Sequence, residues 1–171
     1  MKIHNGTVKY LSLTLLLTAS AFCLVQIIAR GNGEPALAPG ATAAFQTPWK
    51  DDQVIAAGDL AKWITEKQHP IVLQVGVSGL YDGAHVPGAI YAGPAEEAAG
   101  LNNLREKAKS LARTRDVVIY CGCCPMRVCP NLKPAFTLLQ GMGFTKIKVL
   151  DIPHDFTGDW VNKGFPVEKK G

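Results

Sequence analysis

The sequence predicts an α/β domain in which a mostly parallel sheet carries helices on both faces. Three observations predict it. Segments of strand length alternate with segments of helical periodicity between residues 53 and 168. The clearest strand segments, Ile71 to Val75, Val117 to Tyr120 and Ile147 to Leu150, are apolar along most of their length instead of alternating, as strands are when both sheet faces are covered. Hydrophobic residues make up 47 % of the chain and charged residues 19 %, enough apolar surface for a packed core.

Ahead of the domain, residues 10 to 29 read YLSLTLLLTASAFCLVQIIA without a charge, and Lys2 and Lys9 precede them. A run of about 20 apolar residues spans a bilayer as a helix. It exceeds the roughly 7–15 residues of a usual signal-peptide apolar region. Residues 1 to 30 therefore read as a signal peptide or a membrane anchor, a hydrophobic helix that holds the chain to the membrane if it is not cleaved. Ala41-Thr42-Ala43 offers a small-residue cleavage site, and both fates stay open. Phe22 before Cys23 is too large for a usual lipoprotein site. The positive flank predicts a cytoplasmic N-terminus and a domain exported to the periplasm or the outer face of the cytoplasmic membrane. Residues 31 to 52, rich in Gly, Pro and Ala, read as a linker. The net charge is +4, with no basic tract interleaved with aromatics, which argues against nucleic-acid binding.

Within the domain, Asp59 predicts a helix cap, with Leu60, Trp63, Ile64 and Lys67 following at helical spacing and His69-Pro70 ending the helix. Ile71 to Val75 is a buried strand. His85-Val86-Pro87-Gly88-Ala89 is a turn that leads into a brief strand near Ile90. Leu101, Leu104, Ala108 and Leu111 share one helical face, and Arg105, Lys107 and Lys109 lie on the solvated one. After the strand Val117 to Tyr120 comes a loop rich in Cys and Pro. Pro134 fits the first turn of the next helix, whose apolar side is Phe136, Leu138, Leu139 and Met142, and Gly143 ends it. Ile147 to Leu150 is the last strand predicted.

The loop reads CGCCPMRVC, so four of the five cysteines, Cys121, Cys123, Cys124 and Cys129, lie within nine residues. Disulfides that staple a fold close longer loops, because short closures remove less chain entropy. Clustering favours chemistry. Cys121 follows a strand and opens a loop that leads to a helix, and ligands of parallel sheets bind beyond the carboxyl ends of the strands. Backbone amides of such a loop, with the helix N-terminus, stabilise anions and lower a thiol pKa. Arg127 is a candidate for a fixed positive charge on a bound anion.

The strand-then-Cys arrangement resembles the rhodaneses. His85-Val86-Pro87-Gly88-Ala89 resembles their HIPGA-type turn, Gly143-Phe144 their helix-ending Gly-Phe, and Asp159-Trp160 through Gly164-Phe165-Pro166-Val167 their closing segment. The resemblance implies that Cys121 takes up a sulfane sulfur as a persulfide. It implies that the loop of Gly122, Cys123, Cys124, Met126 and Arg127 binds an anionic donor such as thiosulfate or polysulfide. A thiol acceptor or reductant completes the cycle, and Cys123, Cys124 and Cys129 are candidate resolving thiols. This leading reading, a sulfurtransferase or sulfane-sulfur carrier, calls for no cofactor and no metal.

Two departures from the family pattern stand out. Gln74-Val75-Gly76 occupies the place of an Asp-x-Arg charged pair, and the stretch from Cys121 to Gly143 is longer by about one helical turn. Alternatives stay open beside the leading reading. An exported thiol-disulfide redox module would use the Cys121/Cys124 C-x-x-C spacing. A metal-binding module would use the thiolates of C-x-C-C-x4-C, which suit zinc or Cu(I). Cys121 to Arg127 also has the C-x5-R spacing of phosphatases. Among single residues, His85 reads as a turn histidine bonded to backbone, His154 as a solvated histidine, and Trp160 as core.

Overall fold

The computed structural model describes residues 46–171. The apolar run at 10–29, and with it the expected N-terminal hydrophobic helix, lies outside the described residues. Among the described residues no helix is long and apolar enough to cross a membrane.

Ten elements follow in order: β1 (Val54–Ala56), α1 (Ala57–Thr65), β2 (Ile71–Gln74), α2 (Ser78–Gly83), β3 (Ile90–Tyr91), α3 (Ala98–Lys109), β4 (Val117–Tyr120), α4 (Leu132–Gly141), β5 (Ile147–Asp151) and α5 (Phe156–Asp159). The five strands form one sheet in the order β1-β5-β4-β2-β3. Every pairing is parallel. Register places Leu73 beside Ile119 and Ile90, and Ile119 beside Val149. β4 is therefore the central strand.

All four residues of β2 and of β4 are buried, because side chains alternate between two covered faces. Ile71, Leu73, Val117 and Ile119 pack with Leu104, Leu132, Phe136 and Leu139 from α3 and α4. Val72, Val118 and Tyr120 pack on the opposite face with Leu60, Phe156 and Trp160. The largely apolar run in these strands thus has its physical counterpart in a core on each side.

Several local expectations need correction. Asp59 does not cap α1: the helix starts two residues earlier, after Ala56, and Asp59 sits in its first turn, where a carboxylate complements the helix dipole. Lys67 lies beyond the end of that helix, in a turn where its φ is 58°. Trp49, assigned to the linker by the sequence reading, is only 6 % exposed and packs against Phe136 at 5.7 Å between ring centroids, so the packed chain begins ahead of residue 53. β1, α2 and α5 are additions to the predicted elements.

Other local features agree with the sequence. Pro134 occupies the first turn of α4, and Gly143 follows that helix at φ +86°. Buried His85 stacks on Tyr81 and its Nδ1 lies 2.6 Å from the Tyr81 carbonyl. Trp160 is fully buried and donates from Nε1 to the Pro166 carbonyl at 2.8 Å. His154 is exposed and meets Asp159 at 3.1 Å.

The C-terminal segment folds back over the turn at residue 85. His85 and Glu168 exchange backbone hydrogen bonds of 2.8 and 2.9 Å. The Gly88 amide donates to the Glu168 carboxylate at 2.9 Å, and Lys170 pairs with Asp82 at 3.4 Å.

Candidate active site

Cys121 is placed by the central strand. It follows Tyr120, the last residue of β4, at the carboxyl edge of the sheet, and only 2 % of it is exposed. The chain then turns at Gly122, whose φ is +86°, in the left-handed region that favours glycine. A Cβ there would stand 3.0 Å from Cβ of Phe156. Two backbone bonds fix the loop to the segment after β5: Phe156 N donates to the Gly122 carbonyl at 3.0 Å, and Met126 N to the Ile152 carbonyl at 2.8 Å.

The Gln74-Val75-Gly76 stretch, noted as a departure from the family pattern, supports this cysteine directly. Gln74 is buried, and its Nε2 donates to the Cys121 carbonyl at 3.0 Å. Gly76 packs so closely that a Cβ on it would lie 2.7 Å from both the Cys121 carbonyl oxygen and Sγ. The support is one neutral hydrogen bond and a bare backbone. The Gln74 Oε1 atom is buried without a partner.

The four loop thiols converge. All are free, and their Sγ atoms lie within 4.8 Å of one another. Cys121 and Cys123 are 3.1 Å apart, and Cys123 and Cys124 are 3.2 Å apart. Asn131, buried just ahead of α4, points Nδ2 at the Cys121 sulfur from 3.5 Å. Cys121 and Cys129 are buried, Cys124 is half-buried and Cys123 is exposed.

Their acidities separate. Hydrogen bonding to the Cys129 sulfur, together with burial, pushes the Cys121 thiol well above the ordinary thiol range, although the Cys123 amide opposes this. Cys129 is lowered to about 6, foremost because the Cys121 thiol donates to it; against the cost of burial, the backbone amides of Asn131 and Leu132 help. Burial and the neighbouring sulfurs push Cys124 up. The sequence predicts the loop amides and the helix N-terminus at Cys121. In the structure α4 begins only at Leu132, so the amides at the helix start serve Cys129, and Cys121 keeps that of Cys123.

A cavity of about 300 Å³ reaches Cys121 from the side of α2 and α5. Gln74, Tyr120, Phe156, Thr157 and Lys169 are among its lining residues, and Lys169 is the only charged one. A larger hollow of about 480 Å³ lies near His69, Pro70 and Arg115, remote from the cysteines. Its lining carries no thiol.

Of the predicted site residues, Gly122, Cys123, Cys124 and Cys129 gather around Cys121. Met126 is 3 % exposed and belongs to the core packed under the loop. Arg127 lies on the short helical turn Met126–Val128, exposed, outside the cavity lining and without a hydrogen-bond or ion-pair partner among the described residues. Sequence reasoning missed Gln74, Gly76, Asn131 and Lys169. Gln74 carried a signal, as a polar residue inside an otherwise apolar strand segment.

No protein-family model matches the chain, and no curated protein matches it. Solved structures do. The BH2092 protein from Bacillus halodurans superposes with a TM-score of 0.54 at 21 % identity, over 68 % of this chain and 77 % of that one. The Alr3790 protein from Anabaena sp. gives a TM-score of 0.53 at 20 % identity, over 67 % of this chain and 91 % of that one. The solution structure of the rhodanese-like domain of the Anabaena protein gives 0.50 at 21 % identity, over 68 % of this chain and 79 % of that one. A five-stranded parallel sheet in this order, with its cysteine at the end of the central strand and these structures as its likenesses, makes the domain rhodanese-like in fold.

Proposed function

We propose that the domain takes up sulfane sulfur on Cys121 and passes it on, acting as a sulfurtransferase or sulfur carrier. The observation that carries this reading is the place of Cys121: the carboxyl end of the central strand of a rhodanese-like fold, on a cavity of about 300 Å³. Lys169 at that cavity favours an anionic donor such as thiosulfate or polysulfide.

With thiosulfate as donor, one S–S bond is exchanged for another. Cys121, the weaker acid of the pair with Cys129, loses its proton to base in solvent as the donor binds. The Cys121 thiolate attacks the outer sulfur of the donor. A new S–S bond forms, the S–S bond of thiosulfate breaks, and sulfite leaves with the electron pair. The Cys123 amide and Asn131 Nδ2 stand by the sulfur that carries the persulfide. A thiophilic acceptor then attacks the terminal sulfur. Alternatively, a neighbouring loop thiolate attacks the Cys121 sulfur, forms a disulfide and expels hydrosulfide, and a dithiol reductant resets the loop. The proximity of Cys123, at 3.1 Å, favours this second exit.

The test is an intact mass of the reduced full chain after incubation with thiosulfate. The expected result is a gain of one sulfur atom per chain, absent in Cys121→Ser. Uptake by Cys121→Ser at the parent rate would overturn the assignment.

A further inference from the structure

Sulfur uptake needs one nucleophile, and at most one more thiol to resolve it. The loop brings four together. We propose that Cys121, Cys123, Cys124 and Cys129 form a closed tetrathiolate site for one Zn²⁺ ion, and that its occupancy withholds Cys121 from sulfur donors. The second half rests on the sulfurtransferase reading; the site itself does not.

The geometry argues for it in three ways. The first is spacing. Tetrahedral zinc with Zn–S bonds of about 2.3 Å sets its sulfurs about 3.8 Å apart. The four Sγ atoms already lie within 4.8 Å of one another, with two contacts of 3.1 and 3.2 Å. Both short contacts involve Cys123, the exposed member, which is the one freest to open by the needed half-ångström or so.

The second is the donor set. Thiolate sulfur is soft, and four of them in a tetrahedral arrangement select zinc among common divalent ions. With all four positions filled by protein, no open position remains for water, so the site is structural or regulatory in kind. Each thiol that enters the coordination sphere gives its proton to solvent, and no sulfur changes oxidation state.

The third is the surrounding shell. Zinc with four thiolates carries a net charge of −2, which needs donors around it. Asn131 Nδ2 lies 3.5 Å from the Cys121 sulfur. The amides of Asn131 and Leu132 face Cys129, and that of Cys123 faces Cys121. Such N–H groups aimed at ligand sulfurs are the outer-shell pattern that orients and holds a metal's ligands. Among the described residues no carboxylate contributes to the cluster.

Occupancy and sulfur uptake compete for the same lone pairs. A Cys121 thiolate bonded to zinc is not free to attack a donor, and a Cys121 persulfide no longer presents the sulfur position that closes the site.

The experiment uses the reduced, metal-free full chain and Co²⁺ alone as the optical probe, followed by Zn²⁺. The expected result is saturation at one Co²⁺ per chain, with thiolate-to-cobalt charge-transfer bands and the intense visible bands of tetrahedral cobalt. One equivalent of Zn²⁺ should bleach them. Cys129→Ser should weaken Co²⁺ binding by at least about a hundredfold, the upper end of what losing an outer-shell partner costs. Cys123→Ser should do the same without touching the core, since Cys123 is exposed. Absent bands, or bands that survive both substitutions unchanged, overturn the site. Thiosulfate uptake is then compared between metal-free and zinc-loaded chain. Equal uptake overturns the gating. Tetrathiolate bands in a chain that takes up no sulfur without metal would sink the sulfurtransferase reading and leave the zinc site standing.

Discussion

Gly76 and Gln74 hold Cys121 in place while having no reactive chemistry of their own. Gly76→Ala would press a methyl group to 2.7 Å from the Cys121 carbonyl oxygen and from its sulfur. One of those atoms is backbone, so the clash cannot be relieved by a side-chain turn alone. Overpacking of this kind costs about 1–3 kcal/mol. We expect Gly76→Ala to lower the urea midpoint accordingly and to slow sulfur uptake by the molecules that remain folded, measured in the same preparation. A variant with the parent uptake rate would show that Cys121 tolerates displacement. The charged residues sort by position. Lys169 lines the cavity and Arg127 does not. Lys169→Ala should raise the thiosulfate concentration needed for half-maximal uptake, whereas Arg127→Ala should leave it unchanged. Exposed Arg127 has no partner to lose among the described residues, so its removal should move stability by no more than about 0.5 kcal/mol. The reverse ranking would return the anion site to the loop.

At the scale of elements, the loop's geometry depends on a short helix outside it. Asp155 caps α5, its Oδ1 accepting from the Gly158 amide at 2.7 Å, and Phe156 then donates to the Gly122 carbonyl. Asp155→Ala should cost about 1 kcal/mol, read as a shift in the urea midpoint, with uptake slowed because Gly122 loses its fixed neighbour. That element was not legible in the sequence. α5 has four residues and α2 has six, too few for an apolar repeat to emerge, and β1 has three residues that run straight into α1. The longer elements announced themselves through local chemistry. The buried strands are apolar because helices cover both faces. Pro134 and Gly143 mark the ends of α4 because one fits a first turn and the other adopts a positive φ. Cys121 was legible because its place at a strand end is a local fact. Gln74 was not legible as its partner, because the pairing of β2 with β4 brings together residues 47 apart in sequence. The acidity of Cys129 was likewise hidden, since it depends on where α4 begins.

At the scale of the whole molecule, the uncharged run at 10–29 behind Lys2 and Lys9 motivates the proposal that the domain works outside the cytosol. Labelling of intact cells with a thiol reagent that cannot cross the cytoplasmic membrane should modify Cys123, the exposed thiol of the loop. Modification only by a reagent confined to the cytosol would invert the topology. The fold-back of the C-terminal segment has a consequence of another sort. Glu168 is fastened to His85 and Gly88, and Lys170 to Asp82, while Lys169 between them borders the cavity of Cys121. The backbone at Lys169 is thus held at the cavity that reaches Cys121. A carrier domain or thiol peptide joined there by a short flexible tether would meet Cys121 at an effective concentration of about millimolar, whatever its concentration in bulk. Sulfur handed over in that way would follow the length of the tether, with diffusion between molecules no longer setting the pace.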